Sequence, residues 1–186
     1  MKELYLAGGC FWGTEHFFRQ IAGVVRTEVG YANGIGDHPT YEEVCTDTTQ
    51  FAETVHIVYD PTRIGLRFLL QMYFQTIDPV SVNRQGHDTG TQYRTGIYYT
   101  DAADRPVIED MYRREQRKYY HTLAVELLPL TNFFPAEDYH QDYLVNNPDG
   151  YCHLPLSLFR MAREARPLTD EEWMAENEPN TEEATR

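Results

Sequence analysis

Apolar and polar positions along the chain follow two periods. Leu4 to Ala7 is a short apolar run that stops at Gly8-Gly9 and reads as a strand, while Phe17, Phe18 and Ile21 fall at helical spacing within Glu15 to Ile21. Val24 to Val29 reads as a second strand. Val55, Ile57 and Tyr59 alternate with Thr54, His56 and Val58 as a third, closed by Asp60-Pro61. Thr40 is placed to cap a short helical turn carrying Tyr41 to Val44. Leu66, Leu69, Leu70 and Tyr73 predict a helix that ends before Asp78-Pro79. Ser81 to Thr95 is polar, glycine-punctuated and without period, and a loop of that length is usually functional. Ile97 to Tyr99 and Leu123 to Leu128 read as further strands, Ala102 to Tyr120 as a charged amphipathic helix, and Pro135 to Val145 as another helix. The order predicts an α/β or α+β fold. It shows no sign of two repeated mononucleotide-binding halves, which disfavours a Rossmann dehydrogenase.

Beyond about Pro155 the periodicity fades, so one catalytic unit is expected over 1–155 and an acidic, irregular C-terminal extension, partly ordered at most, over 156–186. Thr169 and Glu172 have capping-box spacing, which would set Trp173 against the body; a solvated acidic tail is the competing reading. Thr169 to Arg186 holds seven acidic residues and one basic one. That run supplies nearly half of the net charge of −13 of the 186-residue chain, and the only basic cluster, Arg113 to Lys118, sits in a mixed-charge segment. Nucleic-acid binding, which needs a basic footprint, is set aside. With 41% hydrophobic and 24% charged residues a packed core is feasible. The apolar stretch from Leu4 to Trp12 is too short to span a bilayer and lacks a small-residue cleavage site, so a cytoplasmic protein without membrane attachment is expected.

Three cysteines are too few, and odd in number, for a disulfide scaffold. Cys10, in Gly9-Cys10-Phe11-Trp12-Gly13, lies where a strand hands over to a helix. There the free backbone N–H groups and the helix dipole favour thiolate over thiol. On position alone, a nucleophile and a small buried hydrophobe weigh equally; the flanking glycines and two large aromatics favour a substrate pocket. Glu53, among apolar and neutral neighbours at the start of the third strand, would become a proton donor if desolvated, although alternation alone favours an outward-facing residue. Within Asn83 to Arg94, Asp88 and Tyr93 are the best-placed candidates, against a reading in which they only knit the loop together. The histidines show no metal spacing, and there is no C-x-x-C or H-E-x-x-H, so no metal is expected.

Gly9 to Gly13, Gly30-Tyr31-Ala32-Asn33-Gly34, Pro39 to Cys45, Ala52-Glu53, Asn83 to Arg94 and Tyr139-His140-Gln141 occur in that order. Together they resemble the A-type methionine sulfoxide reductases, the peptide-methionine (S)-S-oxide reductases, from about Lys2 to His153. The resemblance implies a two-layer α/β sandwich related to the ferredoxin-like arrangement and a thiol reductase with neither metal nor flavin, recycled by an external dithiol such as thioredoxin. It implies that Cys10 is the nucleophile, that Phe11 and Trp12 wall the pocket for the substrate methyl group, and that Glu53, Tyr41 and Tyr93 share the sulfoxide oxygen with Asp88 in support. The substrate would be methionine S-sulfoxide, free or in oxidised proteins, and the enzyme a monomer that repairs oxidative damage. Cys152, in Asn147 to His153, matches a C-terminal resolving cysteine; Cys45 is read first as a buried packing residue and second as an alternative resolver. His140 reads as structural. Two positions depart from the family pattern: Gln50-Phe51 stands where many members carry Gly-His, which removes a hydrogen bond that histidine would supply near Glu53, and His87 stands where Asn is frequent.

Two rival readings come from other classes. A cysteine hydrolase would use Cys10 with a His and an Asp, but no spacing supports it. A sulfoxide-binding module without catalysis would have no reason to retain Cys10, Glu53, Tyr41 and Tyr93 together.

Overall fold

The computed structural model describes residues 1–178. It begins with β1 (Lys2–Ala7), α1 (Phe11–Phe18), β2 (Val24–Ala32), the single turn α2 (Tyr41–Cys45), β3 (Ala52–Tyr59) and α3 (Leu66–Gln75). The two-residue strands β4 (Arg84–Gln85) and β5 (Asp88–Thr89) lead to β6 (Gly96–Tyr99), α4 (Arg105–Gln116), β7 (Glu126–Pro129), β8 (Phe133–Pro135) and α5 (Tyr143–Asn146). α6 (Leu156–Glu164) and α7 (Asp170–Asn177) follow.

The main sheet runs β7-β6-β1-β3-β2-β8 and is antiparallel apart from the β6–β7 pair. Its inner strands with α1 and α3 follow the order β-α-β-β-α-β, the ferredoxin-like arrangement. Period-2 alternation explains the two faces. Leu4, Leu6, Val29, Tyr31, Val55, Ile57, Tyr59 and Ile97 turn to the helices and meet Phe17 and Phe18 of α1 and Leu69, Leu70 and Tyr73 of α3. The opposite face carries a smaller cluster, Tyr5, Ala7, Ala32, Ala52 and Tyr98, covered by Leu130 and Phe133.

The Thr40 cap forms as a capping box with Glu43. Pro135 to Val145, expected as a helix, takes another course. Phe133–Pro135 pairs with Gly30–Ala32 at the sheet edge, where the missing Pro135 N–H costs nothing. Gln141 then bonds the backbone N–H and C=O of Val29 at 2.9 and 2.8 Å, and the Asp142 N–H donates to the Glu15 carboxylate at 3.0 Å with Asp142 left-handed at φ 51°. Tertiary bonds to β2 and α1 thus override local helix propensity. The loop over 81–95 contains the β4–β5 ribbon and a short 3₁₀ turn at Thr91–Tyr93.

Of the extension expected over 156–186, residues 156–177 hold α6 and α7, and residues 179–186 lie outside the described residues. Thr169 and Glu172 form the capping box, and Trp173 is buried with the Arg67 and Arg114 guanidinium groups over its ring, its indole N–H donating to Gln71. Trp173→Ala is expected to destabilise the fold by about 3–5 kcal/mol through the cavity it leaves, read as a lower urea midpoint. An unchanged midpoint would show that α7 contributes nothing. Among the described residues, no helix is long and apolar enough to cross a membrane.

Candidate active site

The site grows from the end of β1. Ala7 is anchored by the Tyr73 hydroxyl, which donates to its carbonyl at 2.7 Å, and Gly9 turns the chain at φ +80°, a conformation that side chains other than glycine rarely adopt. Cys10 thereby becomes the residue that caps α1, and it is buried. Burial first, and Glu53 next, push its thiol well above the usual cysteine range, while the Trp12 N–H pulls the other way. The expected dipole-stabilised thiolate is therefore not the resting form, because desolvation outweighs the helix terminus.

Glu53 lies on β3 opposite Tyr31 of β2. It shares the parity of Val55, Ile57 and Tyr59 and so faces the helices, contrary to the outward orientation that alternation was expected to favour. Its carboxylate accepts the Phe11 N–H at 3.0 Å, which ties it to the residue after Cys10. Complete burial pushes its pKa up to about 8, against the pull of that hydrogen bond, so at neutral pH it is an acid with a proton to give.

Cys10, Phe11, Trp12, Tyr41, Glu53, Asp88, Tyr93 and Tyr151 line one cavity of about 350 Å³. Elements far apart in the chain bring them together: α1, α2, β3, β5, the 3₁₀ turn and the segment after α5. The Tyr41 and Tyr93 phenols are both pushed upward, mainly by burial, and remain hydrogen-bond donors. Trp12 is fixed from two sides: its indole N–H donates to His140 Nδ1 at 3.0 Å, and its ring stacks on Tyr143 at 3.7 Å. His140, read from sequence as structural, thus holds a cavity wall. Glu137 ties the cavity's back, accepting from the Tyr31 hydroxyl at 2.9 Å and the Tyr41 N–H at 3.1 Å.

Sequence reasoning missed Tyr151. Its hydroxyl donates to Asp88 at 3.0 Å across the cavity; its place beside Cys152 was the available signal. The three cysteines are unbridged: Cys10 is buried, Cys152 half-buried, and Cys45 exposed rather than the buried packing residue expected, because the single turn α2 carries it on its outer side. The Cys152 sulfur accepts the Leu154 N–H at 3.3 Å and lies where a Cβ on Gly13, one turn along α1 from Cys10, would come within 3.0 Å of it. Cys45 sits beside the Tyr41 hydroxyl. Phe51, at the position where the resemblance led to an expected histidine, is buried and packs against Gly34 and Phe134. His87 is exposed. Among the described residues, no group of three or more His, Cys, Asp or Glu is placed to hold a metal ion.

Residues 2–172 match the family model described as peptide methionine sulfoxide reductase. The chain is 53% identical over 160 residues to a peptide methionine sulfoxide reductase MsrA from Clostridium acetobutylicum, covering 86% of this chain and 99% of that protein. Among solved structures it is similar to Mxr1 from Saccharomyces cerevisiae in reduced form, with a TM-score of 0.78, 40% identity and coverage of 81% of this chain and 88% of the other. It is also similar to Mxr1 in complex with Trx2, with a TM-score of 0.55, 29% identity and coverage of 76% and 84%.

Proposed function

The chain belongs to the A-type peptide methionine sulfoxide reductases and is an oxidoreductase of that kind, and from this premise we propose how its own residues carry out the reaction. The substrate is methionine S-sulfoxide, free or within oxidised proteins, bound with its methyl group against Phe11 and Trp12 and its oxygen toward Glu53, Tyr41 and Tyr93. A sulfoxide sulfur is partly positive but resists attack until its oxygen is protonated or strongly hydrogen-bonded. The Cys10 sulfur attacks it as Glu53 gives its proton to the oxygen. The substrate S–O bond and the new bond between the two sulfurs break as the oxygen passes to Cys10 as a hydroxyl, methionine leaves with the electron pair of the sulfur–sulfur bond, and the former thiol proton restores Glu53. Two electrons have moved from Cys10 to the methionine sulfur, leaving Cys10 as sulfenic acid.

Cys152 then displaces the hydroxyl as water, forming a Cys10–Cys152 disulfide that a thioredoxin-type dithiol reduces by exchange. The Mxr1–Trx2 complex supports that reductant, and a site built wholly from one chain supports a monomer. The sparse, odd set of cysteines suits the reducing cytoplasm as its location.

The observation that carries this reading is a buried carboxyl, its pKa pushed up to about 8 by desolvation, bonded to the residue next to a buried thiol, both on an aromatic-walled cavity. One equivalent of methionine S-sulfoxide without reductant should release one methionine and leave a Cys10–Cys152 disulfide in peptide maps, with Cys45 free. The R epimer should be untouched. A map joining Cys10 to Cys45 would reassign the resolver, and three intact thiols after methionine release would refute the scheme.

A further inference from the structure

Next to Cys152 stands a group that the reaction above leaves unused. His153 is half-buried, yet both of its ring nitrogens are shielded from solvent and have no hydrogen-bond partner among the described residues. The Gly8 carbonyl is near the ring without meeting hydrogen-bond geometry. A neutral imidazole carries one donor and one acceptor, and leaving both unsatisfied costs stability, so such a group calls for a reason.

Its surroundings supply one. A Cβ built on Gly9 would lie 3.1 Å from His153 Nε2, and one built on Gly13 would lie 3.2 Å from His153 Nδ1 and 3.0 Å from Cys152 Sγ. The ring therefore lies along the face of α1 opened by the two glycines that bracket Cys10, with the Cys152 sulfur over the second of them. Side chains at either position would occupy the space that the imidazole and the sulfur now fill.

We propose that His153 accepts the proton of the Cys152 thiol during disulfide formation, and that Gly9 and Gly13 are the seat that places both groups beside Cys10. The inference rests on the reading of Cys10 as nucleophile and Cys152 as resolver. The Cys152 S–H proton passes to the imidazole and the sulfur attacks the Cys10 sulfenic sulfur. The S–S bond forms as the S–O bond breaks, and the departing hydroxide recovers the proton and leaves as water. Burial is the main cause that raises the Cys152 thiol, which thus needs a base, and that lowers the His153 imidazole, which is thus neutral and able to act as one, with Asp88 the charged group acting on both.

The test separates the two half-reactions with methionine S-sulfoxide and no reductant, following methionine by rapid quench and the sulfenic acid by trapping with a 1,3-dione. His153→Ala should still release one methionine per enzyme but form the disulfide about 10²-fold or more slowly, with partial recovery in added imidazole. His153→Asn should stay slow, and Gly13→Ala should be slow with no response to imidazole. Disulfide formation in His153→Ala within threefold of the parent, full recovery in His153→Asn, or loss of the methionine burst in His153→Ala would each overturn the assignment. Failure of the parent enzyme to release methionine, or release by a Cys10→Ser variant, would instead bring down the underlying scheme.

Discussion

Replacing Cys10 by Ser is expected to lower the reduction of methionine S-sulfoxide by about 10⁴-fold or more, to the background of the assay. A serine hydroxyl is a poor nucleophile toward sulfur and has no accessible oxidised state in which to carry the substrate oxygen. The loss should therefore extend to the single turnover without reductant, not only to cycling. Cys152→Ser is the contrasting case: it should keep one methionine per enzyme and lose only the disulfide-linked recycling. Methionine formed per enzyme, with and without a dithiol, reads both variants. A Cys10→Ser protein that retained even one hundredth of the parent rate would remove Cys10 from the chemistry.

Glu53→Gln should slow the first turnover by about 10²–10⁴-fold, since glutamine keeps the shape and the Phe11 contact but has no proton to transfer. The pH profile carries the signature. Glu53 holds its proton below about pH 8, so the parent's reduction step should fall as pH rises through 8, and the variant should lack that limb. Stability should fall over the same pH range. The folded pKa is raised, so the stability available with Glu53 protonated is complete below the unfolded carboxyl range and is lost progressively as pH rises toward 8. Removing the charge should make Glu53→Gln more stable than the parent at pH 8, on the order of a few kcal/mol, measured by urea unfolding at pH 5 and pH 8. A rate within threefold of the parent, or equal stability at both pH values, would contradict the assignment of Glu53 as a buried acid.

Much of the frame was legible because it is written in local patterns. The alternation over Val55–Tyr59, the helical spacing of Leu66, Leu69, Leu70 and Tyr73, and the Thr40 and Thr169 caps need only neighbours in sequence, and β3, α3 and both capping boxes are where those patterns place them. Pro135–Val145 was not legible, since Gln141 and Asp142 are held by Val29 and Glu15, more than a hundred residues away. The orientation of Glu53 was half legible: its parity matches Val55 and Ile57, but an acid on that parity suggests an edge or a solvent face until the helices are seen to cover it. Tyr151 had only its place beside Cys152 as a signal and His140 only its place in Tyr139-His140-Gln141; what they do is set by what they touch, Asp88 and the Trp12 indole.

The sequence by itself supplied the candidate elements: a cysteine at a strand-to-helix junction, an acid at the start of the third strand, a polar loop, a second cysteine near the end of the motifs, and the ordered set that marks the family. Tertiary structure alone decided the protonation state of each group and how the thiols are seated. Cys10 rests as a thiol and Glu53 as an acid because desolvation, set by packing from β3, α2 and the segment around Tyr151, outweighs the helix terminus that the local sequence supplies. A helix end belongs to its own few residues, whereas the removal of water belongs to the whole fold.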